Sequence, residues 1–232
     1  MQFSAELWIG DYEKAVKELF GERIWFIGLQ GSYGRGEAAP ESDIDVVLIL
    51  DRLSEKDILA YSAMLDRLSH RDKACGFISG KEELLCWEPS DLFQFYYDTA
   101  PIMGSLNELA EKIRKEDVAR AVRVGACNAY HMCVHNLVHE KSMEILKGAY
   151  KSAVFMLHAI AFLETGKYVK NKSELRLLLS REEQTVLKAG LEIKPKAALA
   201  PEEFIKLSAL LIDWSSQWLI KCGNDKWEEF YE

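Results

Sequence analysis

No run of about eighteen apolar residues occurs in this chain, so no segment reads as a membrane span. The opening stretch, from Met1 to Leu7, has no basic-then-apolar pattern of a secretory signal. Net positive charge is missing as well. A formal charge of −8 argues against broad electrostatic binding to nucleic acid, which needs a basic surface, and leaves room only for a local basic patch. Cysteine is sparse and shows no pairing pattern. Cys75, Cys86, Cys127, Cys133 and Cys222 are odd in number and lack zinc-ribbon spacing, which suits reduced thiols in a cytoplasmic protein. No internal repeat and no low-complexity segment interrupts the chain. What remains is an ordinary globular composition, 49% apolar over 232 residues, enough for one large domain or two of common size.

Against that background one stretch stands out. Ile24-Trp25-Phe26-Ile27-Gly28-Leu29 is a short, bulky apolar run bounded by Gly21 and Gly31, which predicts a buried strand. It leads into Gly31-Ser32-Tyr33-Gly34-Arg35-Gly36. Glycine lets backbone approach a ligand closely, and successive N–H groups in such a turn form an anion-binding concavity. A short helix starting within residues 33–37 would add favourable potential for phosphate, and the Ser32 hydroxyl a further donor. Residues 43–50 predict a second strand, in which Asp43 and Asp45 share a face. Both faces are apolar beyond Asp45, so this strand is expected to be central and covered on both sides. Two acids at its entrance are costly unless they open on a cleft, are hydrogen-bonded, or bind metal. Hard cations such as magnesium prefer oxygen ligands of this kind. Taken singly, a Gly-Ser turn is mostly just a turn and Asp-x-Asp mostly a solvated strand start; it is the pair, in this order, that points to a metal-bound triphosphate.

Elsewhere the periodicity predicts an amphipathic helix over 11–20 and another over 54–71, capped by Ser54 with Glu55 and Asp57 in its first turn. Residues 74–79 and 92–97 predict third and fourth strands, and Pro101 and Gly104 mark a domain junction within 99–108. Helix dominates after that, over 109–139, 141–164, 173–180, 182–189 and 201–221. Met143, Leu146, Tyr150, Val154, Leu157 and Ala161 form one apolar stripe, and Thr165-Gly166 ends that helix.

Gly31-Ser32-x-Gly34-Arg35-Gly36 followed by Ser42-Asp43-Ile44-Asp45 resembles the signature of the nucleotidyltransferase superfamily, which includes DNA polymerase β-like and small antibiotic nucleotidyltransferase domains. The resemblance implies an α/β (α+β) nucleotidyltransferase domain with a small mixed sheet over residues 1–104. An all-α helical bundle would follow over 105–232, similar to the HEPN-like partner domains of such proteins, with Leu163 to Tyr168 adding a weaker likeness. It further implies transfer of a nucleoside monophosphate, with ATP the expected donor, to an acceptor hydroxyl of a small molecule or protein. Gly31, Ser32, Gly34 and Arg35 would bind the nucleotide, Arg35 either neutralising phosphate or pinning the turn to the acidic strand. Asp43 and Asp45 would be the catalytic acids and the ligands of one or two Mg2+ ions. Members of this superfamily usually add a third carboxylate from a later strand. Here Ala74 to Ser79 carries none; Asp72 precedes it, and Glu82, Glu83, Glu88 and Asp91 follow. That departure favours, as an alternative, a catalytically weak nucleotide-binding or antitoxin-like regulatory module, the partner of a toxin; under either reading a homo-oligomer is open.

Other motifs carry blander readings. Cys127, His131, His135 and His139 fall on one helical face, a possible metal ladder but more simply a polar surface. HEPN-type ribonucleases place an Arg and a His closer together than Arg123 and His131 stand here. Trp214, Trp218 and Trp227 suit a core better than base stacking, and Asp225 to Glu232 a solvated end.

Overall fold

A computed structural model describes residues 3–224; Trp227 and the acidic end from Asp225 lie outside them. In chain order the elements are α1 (Ala5–Phe20), β1 (Ile24–Gln30), α2 (Gly31–Gly34), β2 (Ile44–Leu50), α3 (Glu55–Leu65), β3 (Ala74–Gly80), α4 (Lys81–Leu85), α5 (Pro89–Asp98) and β4 (Ala100–Met103). Then come α6 (Asn107–Ala110), α7 (Lys115–His135), α8 (Met143–Thr165), α9 (Lys172–Leu178), α10 (Arg181–Ile193) and α11 (Pro201–Gly223). Two compact units emerge. One holds the chain through Glu88 together with Phe95–Lys112; the other holds Pro89–Gln94 and the chain from Ile113 onward.

The first unit is built on a mixed four-stranded sheet in the order β3-β2-β1-β4. β1 runs antiparallel to β2 and β4, while β2 and β3 are parallel, with α3 in the crossover between them. β2 is an inner strand, and Val46 through Leu50 are all buried, as its two apolar faces required. Its Ile44, Val46, Leu48 and Leu50 join Trp8, Tyr12, Val16 and Phe20 of α1 and Tyr61, Met64 and Leu65 of α3 in one core. Inside it the Tyr12 and Tyr61 hydroxyls meet at 2.9 Å, and the Trp8 indole donates to the Ser69 carbonyl at 2.7 Å.

Local chemistry sets the ends of these helices. α1 starts a turn and a half earlier than its apolar spacing suggested, because the Ser4 side chain caps it by accepting from Leu7 N–H and Glu6 follows in the first turn. Gly21, at φ 55°, stops it. α3 opens with a reciprocal Ser54–Asp57 capping box, and Arg23 donates to the Asp57 carboxylate at 2.7 and 3.2 Å. It ends at Leu65, short of the expected Arg71; turns follow over 66–70, His70 is left-handed, and a 3-10 turn at Arg71–Lys73 leads into β3.

Residues 92–97 are not a strand, as their apolar, aromatic run suggested, but most of helix α5. Pro89 sits in the first turn and Asp91 follows. Large side chains are buried on more than one side of the helix, Leu92, Phe93 and Phe95 all being buried, so burial overrides the strand preference of the aromatic residues. The fourth strand is instead β4, within the stretch expected to be a junction. Pro101 is tolerated there because β4 is an edge strand.

In the second unit α7 packs along α8 and α11, and α10 along α8. Ser142 caps α8, and Gly166 in the left-handed region ends it. Leu146, Tyr150, Leu157 and Ala161 of its expected stripe are buried, as are Trp214 and Trp218 of α11. By length and composition α8 is apolar enough to cross a membrane, but 56% of its apolar window is buried within the fold. The junction after α7 is a π turn, Asn136–Glu140, fixed by Asn136, whose side chain donates to the Ser142 carbonyl and accepts from Ser142 N–H.

Candidate active site

β1 delivers the chain to Gly31, and antiparallel pairing sets Gln30 opposite Asp45 at the entrance of β2. Gly31 has φ 62°, and a Cβ built on it would lie 1.9 Å from Asp45 Oδ2. The turn after β1 and the acid on β2 thus converge on one spot, and only a residue without a side chain fits between them. Asp45 is half-buried and Asp43, just before β2, is exposed. Among the described residues neither carboxylate has a hydrogen-bond or ion-pair partner. Two open acids with no cation of their own are a donor set for a hard metal ion that keeps its remaining sites for water and phosphate.

The helical turn starts at Gly31, two residues before the expected 33–37, and lasts only through Gly34. Its closing bonds run from Arg35 N to the Gly31 carbonyl (3.1 Å) and from Glu37 N to the Ser32 carbonyl (2.8 Å). The opening N–H groups of such a turn have no acceptor inside it, so they are free to face an anion. Ser32 and Gly34 are half-buried beside them. Gly34 is packed so closely that a Cβ would meet the Leu29 carbonyl at 2.5 Å and the Asp98 carbonyl at 3.1 Å.

Arg35 is held by two other acids. Its Nη1 donates to both Asp98 oxygens at 2.9 Å, and its Nε to Glu37 at 3.3 Å. Burial pulls the guanidinium pKa down, but the Asp98 and Glu37 carboxylates outweigh it and leave the pKa above its ordinary value. The sequence left Arg35 either to neutralise phosphate or to pin the turn to the acidic strand; the acids it meets are instead Asp98, at the end of α5, and Glu37. Gln30 adds a second tie, its Nε2 donating to Thr99 Oγ1 at 2.8 Å, while Thr99 donates to the Phe95 carbonyl. Asp98 and Thr99 brace the turn and were invisible in sequence: they lie beyond the motif, at the end of a segment that reads as a strand. Ser42 braces the loop ahead of Asp43 by accepting from Ala39 N–H at 3.0 Å.

The sheet register narrows the search for a third acid. Asp45 stands beside Cys75 on β3, and no residue of that strand is acidic. Glu82 and Glu83 follow the far end of β3, which pairs with Leu50, about 17 Å of strand away from Cys75. Asp72 enters β3 at the near end, where Ala74 pairs with Ile44. Across the end of α7 and the π turn after it, the His131 and His135 rings are 6.1 Å apart, those of His135 and His139 4.8 Å, and His135 meets Glu140 at 3.5 Å. No cluster of three or more potential ligands able to hold a metal occurs among the described residues.

Comparison with known proteins bears on the fold and the family. No curated protein matches the chain. In fold it is similar to the spectinomycin adenyltransferase AAD(9) from Enterococcus faecialis, solved with ATP and spectinomycin. The TM-score is 0.58 and the identity 15%, over 94% of this chain and 100% of that one. It also aligns with a nucleotidyltransferase-like protein from Exiguobacterium sibiricum 255-15 at TM-score 0.34 and 11% identity, over 94% of this chain and 77% of that one. The family profile of the nucleotidyltransferase domain matches residues 9–124, half of the 232-residue chain and the part that contains the turn, both acids and the whole sheet. The chain belongs to the nucleotidyltransferase domain family.

Proposed function

We propose that this protein transfers a nucleoside monophosphate from a nucleoside triphosphate, ATP first among the candidates, to an acceptor hydroxyl of a small molecule or protein, releasing pyrophosphate. The approach of Gly31 to the Asp45 carboxylate carries this reading, because it joins an anion-binding turn to a metal-type acid pair. Gly31, Ser32 and Gly34 hold the β- and γ-phosphates through backbone N–H groups and the Ser32 hydroxyl. Arg35 keeps that turn in place through Asp98. Asp43 and Asp45 would hold one or two Mg2+ ions, which supply charge stabilisation to the entering and leaving oxygens. Of the acids near β3, Asp72 enters the strand at the end where the pair stands and is the one that could accept the acceptor's proton. The reduced thiols and the similar enzyme fold suit a cytoplasmic setting.

A second reading, a regulatory module that binds nucleotide but turns it over poorly, draws on the acid-free β3 beside Asp45. Magnesium-dependent pyrophosphate release with a panel of hydroxylated acceptors separates the two. Asp43→Asn and Asp45→Asn are each expected to lower transfer by about a hundredfold or more while the fold stays intact. Full activity in both variants sinks the transferase reading. Nucleotide binding without product from any acceptor supports the regulatory one.

A further inference from the structure

The sheet order gives the site a direction. The phosphate turn follows β1, the acid pair opens β2, and β3 lies on the far side. In phosphoryl and nucleotidyl transfer the entering and leaving oxygens lie roughly in line through phosphorus. With pyrophosphate leaving over the turn after β1, the acceptor enters from the side of β3. Parallel pairing sets Cys75 beside Asp45 and Phe77 beside Val47. Residues two apart share a face, so Asp45, Cys75 and Phe77 project together, away from the Ile44–Val46–Leu48 face that meets α1 and α3.

Phe77 is part of an aromatic triad. Its ring lies 4.9 Å from that of Trp87 at 60° and 5.5 Å from that of Phe95 at 73°. Trp87 and Phe95 close the triangle at 5.8 Å and 71°. Edge-to-face contacts of this kind are favourable beyond the area they bury, so the three rings support one another. One corner is buried, with Phe95 7% exposed, whereas Trp87 is 36% exposed. From strand spacing and rise, the Phe77 Cα stands about 8 Å from that of Asp45, within the span of a small molecule whose hydroxyl reaches the acid pair.

We propose that Phe77, Trp87 and Phe95 form the acceptor subsite, with the open Trp87 stacking on an apolar, ring-bearing face of a hydroxylated acceptor. This rests on the transferase reading and adds to it the chemical class of the acceptor. Two probes carry the same hydroxyls: 4-nitrophenyl β-D-glucopyranoside has an aromatic ring and methyl β-D-glucopyranoside does not. Binding of each to the full chain is measured by calorimetric or NMR titration, with magnesium and a non-hydrolysable ATP analogue present and again without them. The expected result is an affinity about tenfold higher for the aryl glycoside. That preference is lost in Trp87→Ala and Trp87→Leu and kept in Trp87→Phe, with analogue affinity unchanged in all three. The Leu variant keeps apolar volume and serves if the Ala variant does not fold. Equal binding of the two glycosides, or a preference that survives in Trp87→Leu, overturns the proposal. So does a loss of ATP-analogue affinity in Trp87→Leu with tripolyphosphate binding unchanged, which would assign the rings to the nucleobase. Failure of the transferase reading shows separately, as magnesium-dependent analogue binding that is indifferent to Asp43→Asn and Asp45→Asn.

Discussion

Gly31 decides more than any other single residue. Its backbone is left-handed, and the space where a methyl would sit is filled by the Asp45 carboxylate. Gly31→Ala is therefore expected to cost about 1–3 kcal/mol through backbone strain and contact together. It should also abolish triphosphate binding, because the acid must move for the methyl to enter. Chemical denaturation and nucleotide titration check the two effects. Asp45→Asn makes an instructive partner, since it removes an unpaired charge and should leave stability unchanged or higher while activity falls. At this scale the sequence was informative: the Gly-Ser turn and the Asp-x-Asp pair are local patterns, and strand pairing had only to bring them together. Asp98, Thr99 and Gln30 were not legible, because their roles come from pairing across the fold and no local spacing announces it.

Between elements, the tie from α2 to the end of α5 is an ion pair largely removed from water, with Arg35 and Asp98 side chains 15% and 9% exposed. Arg35→Ala leaves Asp98 without its cation and is expected to destabilise the first unit by about 3 kcal/mol. Arg35→Lys should recover only part of this, since an ammonium lacks the planar fork. Urea denaturation of both variants measures the difference. A second link joins α1 to α3 through the buried Tyr12–Tyr61 hydroxyl pair. Burial pushes Tyr61 up to about 12, and burial with the neighbouring Tyr61 pushes Tyr12 well above the ordinary phenol value. The unfolded chain loses these protons near pH 10 while the folded one keeps them, so stability is full below about pH 10 and lost as pH rises towards 12. Stability against pH should therefore fall above pH 10, and less steeply in Tyr61→Phe; ultraviolet titration of the phenols tracks the ionisation. Elements were read well where period and caps agreed, as in β1, β2, β3 and α8. α5 and β4 were misread because an aromatic helix buried on several sides has the composition of a strand, and a proline on an edge strand has that of a turn.

Across the whole molecule, the thiols report on both units at once. Cys75, Cys86 and Cys127 are exposed, whereas Cys133 and Cys222 are buried, and burial pushes both of these thiols up to about 11. A thiol reagent at neutral pH should label three sites quickly in the native protein and all five only after unfolding, which mass spectrometry can count. The two-part organisation was legible from the change of period along the chain. The assignment of Pro89–Gln94 to the helical unit was not, because it depends on what those side chains touch: Phe93 packs on Phe162 and Tyr168, far along the chain. The packing of α7 against α11 also bears on biosynthesis. The ribosome releases α7 and the apolar α8 before it makes α11, so an inner face of the bundle stays uncovered until α11 emerges. A nonsense mutation just ahead of Pro201 would leave that face permanently bare, and such a product should collect in inclusion bodies although every residue of the proposed catalytic pocket has been synthesised.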